Sequence, residues 1–207
     1  MGLLNRANSL SLGATSCKKK KKKQIVIAGC GGIGSNVARF LVQAGFTNLH
    51  LIDFDKVVLS NLNRQFYRIS QKGEKKARML KDNLLQLLSF SQRRKAHISF
   101  KVKRLTPKNV QKQLANASFL VEAFDTKEAK QMLLESASLY YPYLPIVSAN
   151  GIAGSDCSTI KVVRLTPFIT VVGDFTTDVN SNALYGYKVS CVASLMTQQI
   201  VSKQEVL

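Results

Sequence analysis

The stretch Gly29-Cys30-Gly31-Gly32-Ile33-Gly34 is the first part of the chain whose residue types and spacing suit chemistry. Glycines let a backbone turn tightly and approach a ligand with no Cβ in the way. Amides at a helix start then favour a phosphate, so Gly29, Gly31, Gly32 and Gly34 are candidate nucleotide contacts. About 20 residues on, an acid at the tip of the next strand should take the ribose hydroxyls, and Asp53 stands there, with Asp55 close behind. The nucleotide could be NAD, FAD or ATP, and the following segment, Ser60-Asn61-Leu62-Asn63-Arg64-Gln65, decides. A dehydrogenase has no use for Asn61, Arg64 and Gln65 clustered past the ribose acid. A triphosphate site does, because an arginine fork neutralises phosphate oxygens in pairs. Lys76 and Asp125 complete the set. A lysine and a Mg²⁺-binding carboxylate spread the charge that develops when a nucleophile attacks phosphorus. Each has a plainer reading as well, Lys76 as a surface lysine and Asp125 as a helix N-cap.

These residues need elements to position them. Ile25-Val26-Ile27-Ala28 reads as a buried strand running into the glycines, and Ser35–Ala44 as a helix stopped by Gly45. Leu49–Ile52 reads as a second strand ending at Asp53. After a long polar loop, the spacing predicts a helix over Glu74–Leu88 with Leu80, Leu84, Leu87 and Leu88 on one face. Ile98–Val102 alternates like a half-exposed strand, and Pro107 opens a short helix ending near Ala115. Phe119–Val121, a helix over Lys127–Tyr140 and a strand at Pro145–Ser148 continue the alternation. The fold class predicted is therefore α/β: a Rossmann-like, mostly parallel sheet with helices on both faces. Beyond Gly151 the rhythm changes to a short antiparallel extension, Thr159–Arg164 with Ile169–Val172, and a last helix over Val189–Val201.

Composition sets the frame. A chain of 207 residues with 45% hydrophobic content suits one domain of ordinary size, assigned to 24–207 after a flexible basic arm, 1–23. The formal charge is +18, and it stays strongly positive without the Lys18–Lys23 block. Such a surface favours anionic partners without choosing among them. The four cysteines, Cys17, Cys30, Cys157 and Cys191, form no C-x-x-C pair, so neither a disulfide framework nor zinc is expected. A reducing, cytoplasmic setting is the natural expectation. No apolar run approaches the roughly 20 residues that span a bilayer, so no membrane partner is expected. Gly2 invites myristoylation, but Arg6 occupies the place where that motif wants Ser or Thr.

Order and spacing of these motifs resemble the ThiF/MoeB/HesA family, the bacterial relatives of ubiquitin-activating enzymes. The matching residues are Gly29 through Asn36, Leu51-Ile52-Asp53-Phe54-Asp55, Ser60 through Gln65, Gly73-Glu74-Lys75-Lys76-Ala77 and Glu122-Ala123-Phe124-Asp125, over about half the chain. Together with Ser148–Gly154 they look most like the short-form sulfur-carrier adenylyltransferases of thiamine synthesis. The resemblance implies ATP and Mg²⁺, with Gly31 and Gly32 at the phosphates and Asp53 at the ribose. It places Arg64 and Gln65 at the triphosphate, Lys76 at the reacting phosphoryl group and Asp125 on the metal. The implied partner is a small ubiquitin-like sulfur carrier ending in Gly-Gly, whose terminal carboxylate attacks the α-phosphorus, and the implied assembly is a homodimer.

Two features depart from the family pattern. The two zinc-binding cysteine pairs of longer members are missing, and so is the Arg-Tyr-x-Arg-Gln motif that lends an arginine finger. Arg6 stands at a suitable distance before the first strand, but its surroundings do not match. Two other readings of the same fold stay open. One is a tRNA-modifying relative that activates the carboxylate of a modified adenosine, for which the basic charge would be a phosphate footprint. The other is a non-catalytic nucleotide-binding member.

Overall fold

β-branched side chains fill the centre of Gln24–Ala28 (β1), which suits a strand buried on both faces. In the computed structural model, which describes residues 23–178 and 181–205, β1 is an interior strand of a seven-stranded sheet. Arg6, Cys17 and nearly all of the basic arm lie outside the described residues. Parallel to β1 on one side run β2 (Asn48–Ile52) and then β3 (His97–Lys101). On the other side run β4 (Ala117–Glu122), β5 (Ile146–Ala149) and β7 (Ile169–Gly173), all parallel. The antiparallel extension is β6 (Lys161–Arg164), which pairs with β7 at the far edge. The spatial order is thus β3-β2-β1-β4-β5-β7-β6.

Alternate side chains of β1 serve two cores. Ile25 and Ile27 join Val37, Leu41, Leu80, Leu84, Val192 and Met196 on one face. That face is covered by α1 (Gly32–Gln43), α2 (Lys76–Gln86) and α6 (Gly186–Glu205). Val26 and Ala28 join Val110, Leu114, Leu133 and Ala137 on the other, covered by α4 (Pro107–Leu114) and α5 (Lys127–Tyr140). Removing the side chain of any one of these buried leucines costs about 2–5 kcal/mol. The chain leaves β1 toward β2 on one side, while β4 flanks it on the other. A crevice therefore opens at the carboxyl ends of β1 and β4, the usual place for a ligand in an open α/β sheet.

The differences from expectation are local. The second helix begins at Lys76 rather than Glu74, because Glu74 is still bonded in the preceding turn, donating to Gln71 O and accepting from Val57 N. Leu80, Leu84 and Leu88 are buried, but Leu87 is 39% exposed because the helix has already ended at Gln86. The stretch between it and β3, for which the sequence predicts no element, holds a further helix, α3 (Phe90–Lys95), started by a reciprocal Ser89–Gln92 capping box. The last helix starts at Gly186, three residues before the expected Val189. Among the described residues no helix is long and apolar enough to cross a membrane.

Candidate nucleotide site

Two of the turn glycines are required by the chain itself. A Cβ on Gly29, whose φ is +93°, would stand 2.6 Å from Ala123 O, and one on Gly34 would stand 1.8 Å from Gly29 O. The first turn of α1 therefore sits directly on the strand ends. Gly31 and Gly32 are different. The nearest atom to a Cβ on Gly31 is Gln65 Nε2 at 3.9 Å, and Gly32 meets only Val189 Cγ1 at 3.2 Å and Arg64 at 3.7 Å or more. The first intrahelical amide bond of α1 is Ser35 N to Gly31 O, so the amides before it have no partner within the helix. Gly31, the N-cap residue, supplies no side-chain cap, and the first turn carries no acid.

Asp53 is buried beside this turn. Its Oδ2 accepts from the Cys30 amide at 2.6 Å, and its Oδ1 accepts from the Asp55 amide at 2.7 Å. Burial raises its carboxyl pKa, against the pull of those two amides and of Lys76. An ionised carboxylate has about four acceptor positions, so two amides leave room for hydroxyl donors. The same burial, with Asp53 adjacent, lifts the Cys30 thiol well above its ordinary value, which keeps it protonated. Lys76 is 6% exposed and places Nζ 3.3 Å from Asp55 Oδ2. Its backbone is tied to the turn through Tyr67, whose hydroxyl donates to Cys30 O at 2.6 Å and approaches Lys76 O at 3.4 Å.

Arg64 lies close to Gly32 of the same turn. Its guanidinium donates to Asn61 Oδ1 at 3.0 Å, Asn63 Oδ1 at 2.9 Å and Ser60 O at 3.2 Å, which fixes the fork. Asn36 on α1 splints the two segments, its amide donating to Gly32 O at 2.7 Å and to Arg64 O at 2.9 Å. Ser35 Oγ accepts from the Phe66 amide at 3.1 Å. Gln65 holds Nε2 beside Gly31, while its Oε1 is buried with no hydrogen-bond partner. The Nε2 amide beside an open glycine can donate to a ligand oxygen, while the buried Oε1 has room for a donor. Ser35 and Asn36 belong to the motif visible in the sequence, but their splinting role emerges only in three dimensions. Sequence reasoning also missed the first turn of α6, where a Cβ on Gly186 would stand 2.4 Å from Asn63 O.

Asp125 is exposed just past the end of β4, two residues beyond Ala123, whose carbonyl touches Gly29. It is not the N-cap of α5. Thr126 is, accepting from the Ala129 amide at 3.3 Å. The support beneath Asp125 is Glu122, fully buried, which accepts from the Phe124 amide at 2.7 Å, Lys130 Nζ at 2.9 Å and Ser148 Oγ at 2.5 Å. Glu122→Ala is expected to lower unfolding free energy by about 2 kcal/mol, the cost of stranding buried donors, measured by urea denaturation. A loss under about 0.5 kcal/mol, the level of an ordinary surface change, would deny it that supporting role.

Among the described residues no three His, Cys, Asp or Glu side chains gather to hold a metal. Asp125 as a lone exposed carboxylate nonetheless fits Mg²⁺, which is commonly bound by one or two carboxylates plus substrate phosphates and water. Asp53 is thus bonded to the glycine turn, Gln65 Nε2 lies beside it, and Arg64 and Lys76 are tied to it through Asn36 and Tyr67. Asp55 and Asn61 stand behind them, and Asp125 follows two residues after Ala123.

A family model described as the ThiF family matches residues 5–203. The tRNA threonylcarbamoyladenosine dehydratase 1 of Saccharomyces cerevisiae is 28% identical over 169 residues, covering 78% of this chain and 38% of that one. Ubiquitin-like modifier-activating enzyme 5 of Caenorhabditis elegans is 39% identical over 67 residues, covering 32% of this chain. The chain spans only 16% of that enzyme's length. In structure, the E. coli tRNA N6-threonylcarbamoyladenosine dehydratase in complex with AMP superposes with a TM-score of 0.75 at 19% identity, covering 90% of this chain and 89% of that one. E. coli MccB with ATP superposes with a TM-score of 0.66 at 20% identity, covering 87% and 56%. At these identities the superpositions establish a shared fold.

Proposed function

Since the chain belongs to the ThiF family, we propose that it activates a carboxylate by transferring AMP to it from ATP. The observation that supports this reading is that the backbones of Arg64 and Lys76 are both tied to the Gly29–Gly34 turn, one through Asn36 and the other through Tyr67. The amides of Gly31 and Gly32 bind phosphate oxygens and Asp53 binds the ribose hydroxyls. Arg64 and the Gln65 Nε2 amide donate to the β- and γ-phosphates, with Asn61 fixing the Arg64 fork. Lys76 exchanges Asp55 for an oxygen on the α-phosphorus. That exchange is inexpensive, because Asp55 is 45% exposed and returns to water. Mg²⁺ held at Asp125 would neutralise charge on the phosphates when bound. The acceptor carboxylate attacks the α-phosphorus, the bond to the bridging oxygen breaks, and pyrophosphate leaves an acyl adenylate.

For the acceptor, the reading with the broader support is the carboxylate of a threonylcarbamoyl-modified adenosine in tRNA. The likeness to the yeast dehydratase runs along 78% of the chain, the whole-domain superposition is with its E. coli counterpart, and the charge of +18 suits a polyanion. This reverses the order expected from sequence, where a ubiquitin-like sulfur carrier ending in Gly-Gly stood first. The carrier remains the second reading, supported by the 67-residue likeness to an enzyme that activates a ubiquitin-like modifier. Under either reading the working form is a homodimer. The test is incubation with ATP, Mg²⁺ and tRNA bearing the modified adenosine, read by mass spectrometry. ATP-dependent loss of one water from the nucleoside is expected. An unchanged nucleoside, with pyrophosphate exchange stimulated by a Gly-Gly carrier instead, would transfer the assignment to the second reading.

A further inference from the structure

Away from the glycine turn, the described residues hold a second ion pair that the proposed chemistry does not use. Lys188 and Asp174 meet at 2.5 Å with side chains 1% and 0% exposed. Lys188 Nζ also donates to Ala153 O at 2.5 Å. Asp174 Oδ1 accepts from the amides of Thr176 and Thr177 at 3.0 and 2.9 Å. Gly151, at φ +73°, lets the chain pass close to that carboxylate, since a Cβ there would stand 2.2 Å from Asp174 Oδ1. Burial alone would raise the Asp174 carboxyl, but the Lys188 ammonium and the two threonine amides hold it well below the usual carboxylate range. Taking both charges out of water carries a desolvation cost that apolar packing would avoid, so such a pair is poor evidence for a purely stabilising role.

Its place in the fold supplies another role. Lys188 is in the first turn of α6, between Gly186 and Val189. Gly186 lies against the Asn63 carbonyl with no room for a Cβ, and Val189 Cγ1 lies against Gly32. The height of that turn therefore sets how far Asn63 and Arg64 can sit from the glycine turn. Asp174 and Ala153, at the carboxyl end of β7 and in the loop after β5, are the fixed points to which the turn is anchored.

We infer that the Asp174–Lys188 pair is a positioning device for Arg64, pinning the first turn of α6 so that Gly186 presses the Asn63–Arg64 segment onto the phosphate site. The inference rests on the reading above, in which Arg64 binds the triphosphate. Neither pair member contacts nucleotide, and their effect on binding passes through Arg64.

A double-mutant cycle on the full chain tests this, with the dissociation constant of ATP measured by calorimetry and folding by thermal melting. The pair is replaced together, Asp174→Asn with Lys188→Met, so that no buried charge is stranded. With Arg64 present, ATP binding is expected to weaken by about tenfold or more, the scale set by small misplacements of a binding group. In an Arg64→Ala background the same replacement should change binding by no more than about twofold, the range of independent effects. Lys188→Arg with Asp174 intact should retain most of the affinity. Equal losses in both backgrounds, or no loss in either, would overturn the inference. If Arg64→Ala alone leaves ATP binding unchanged, the triphosphate reading fails first and the positioning role falls with it. Should the paired replacement not fold, Gly186→Ala, which pushes on Asn63 directly, takes its place in the same cycle with the same expected outcomes.

Discussion

Lys76→Met is expected to slow adenylate formation by about 10²–10³-fold, the scale of removing one preorganised donor at a developing negative charge. Binding of ATP should weaken much less. Methionine preserves the buried stem of Lys76, which is 6% exposed, so the helix that carries it should stay in place. The carboxylate left behind is Asp55, and at 45% side-chain exposure it turns to solvent. The lysine is well placed to act late. Its ammonium rests 3.3 Å from Asp55 Oδ2, a contact worth little at a surface carboxylate. A phosphoryl oxygen gathering charge in the transition state competes for it easily. Single-turnover formation of acyl adenylate, measured beside the dissociation constant of ATP, separates the two effects. Equal losses in binding and rate would mean that Lys76 holds the ground state alone.

Gly34→Ala and Gly31→Ala should fail in opposite ways. At Gly34 a Cβ would stand 1.8 Å from Gly29 O. No side chain can yield there, because the obstacle is the backbone of the turn. The expected loss of unfolding free energy is on the order of 4 kcal/mol or more, in the range reserved for severe core clashes. At Gly31 a Cβ meets nothing nearer than Gln65 Nε2 at 3.9 Å, but φ −80° with ψ −147° lies outside the usual β region, so an alanine there carries backbone strain. The fold should lose about 1–3 kcal/mol, the cost of one sparsely populated backbone conformation. ATP affinity should fall at least about tenfold, equivalent to 1.4 kcal/mol, because the methyl occupies space the phosphates need. Urea denaturation and calorimetry on both variants check this. Matching stability losses would make Gly31 a packing glycine like Gly34.

The parallel sheet was legible because its strands are short β-branched runs separated by helical periodicity, and β1 shows this most plainly in Ile25-Val26-Ile27. Asp53, Arg64 and Lys76 were legible by residue type and order: an acid at the tip of β2, an Asn, Arg and Gln cluster after it and a lysine beyond Gly73. The structure adds how Asp53 bonds to Cys30 and how Asn36 ties Arg64 to α1. What escaped was what depends on long-range approach. Nothing local announces that Gly186 meets Asn63, or that Lys188 finds Asp174 across a loop. The buried Glu122 was hidden because its partners, Lys130 and Ser148, come from a helix and a neighbouring strand. The α3 helix was a different kind of miss. Its signal, Ser89 followed by Gln92 in a capping box, was present in the sequence, but six residues with none buried carry no core-facing stripe.

The acceptor was also less legible than the nucleotide site. The residues from Gly29 to Lys76 suit ATP whatever carboxylate is activated. What puts tRNA first in the proposal is a likeness along 78% of the chain to the yeast dehydratase, which no single motif carries.

A crystal structure of the full chain with Mg²⁺ and a non-hydrolysable ATP analogue addresses the triphosphate site most directly. Phosphate oxygens are expected over Gly31 and Gly32, with Lys76 Nζ and the Arg64 fork each about 3 Å from one of them, at hydrogen-bonding distance. Phosphates pointing away from the turn, with Lys76 still held by Asp55 and the Arg64 fork still engaged only by Asn61, Asn63 and Ser60, would contradict the convergence of these side chains on ATP.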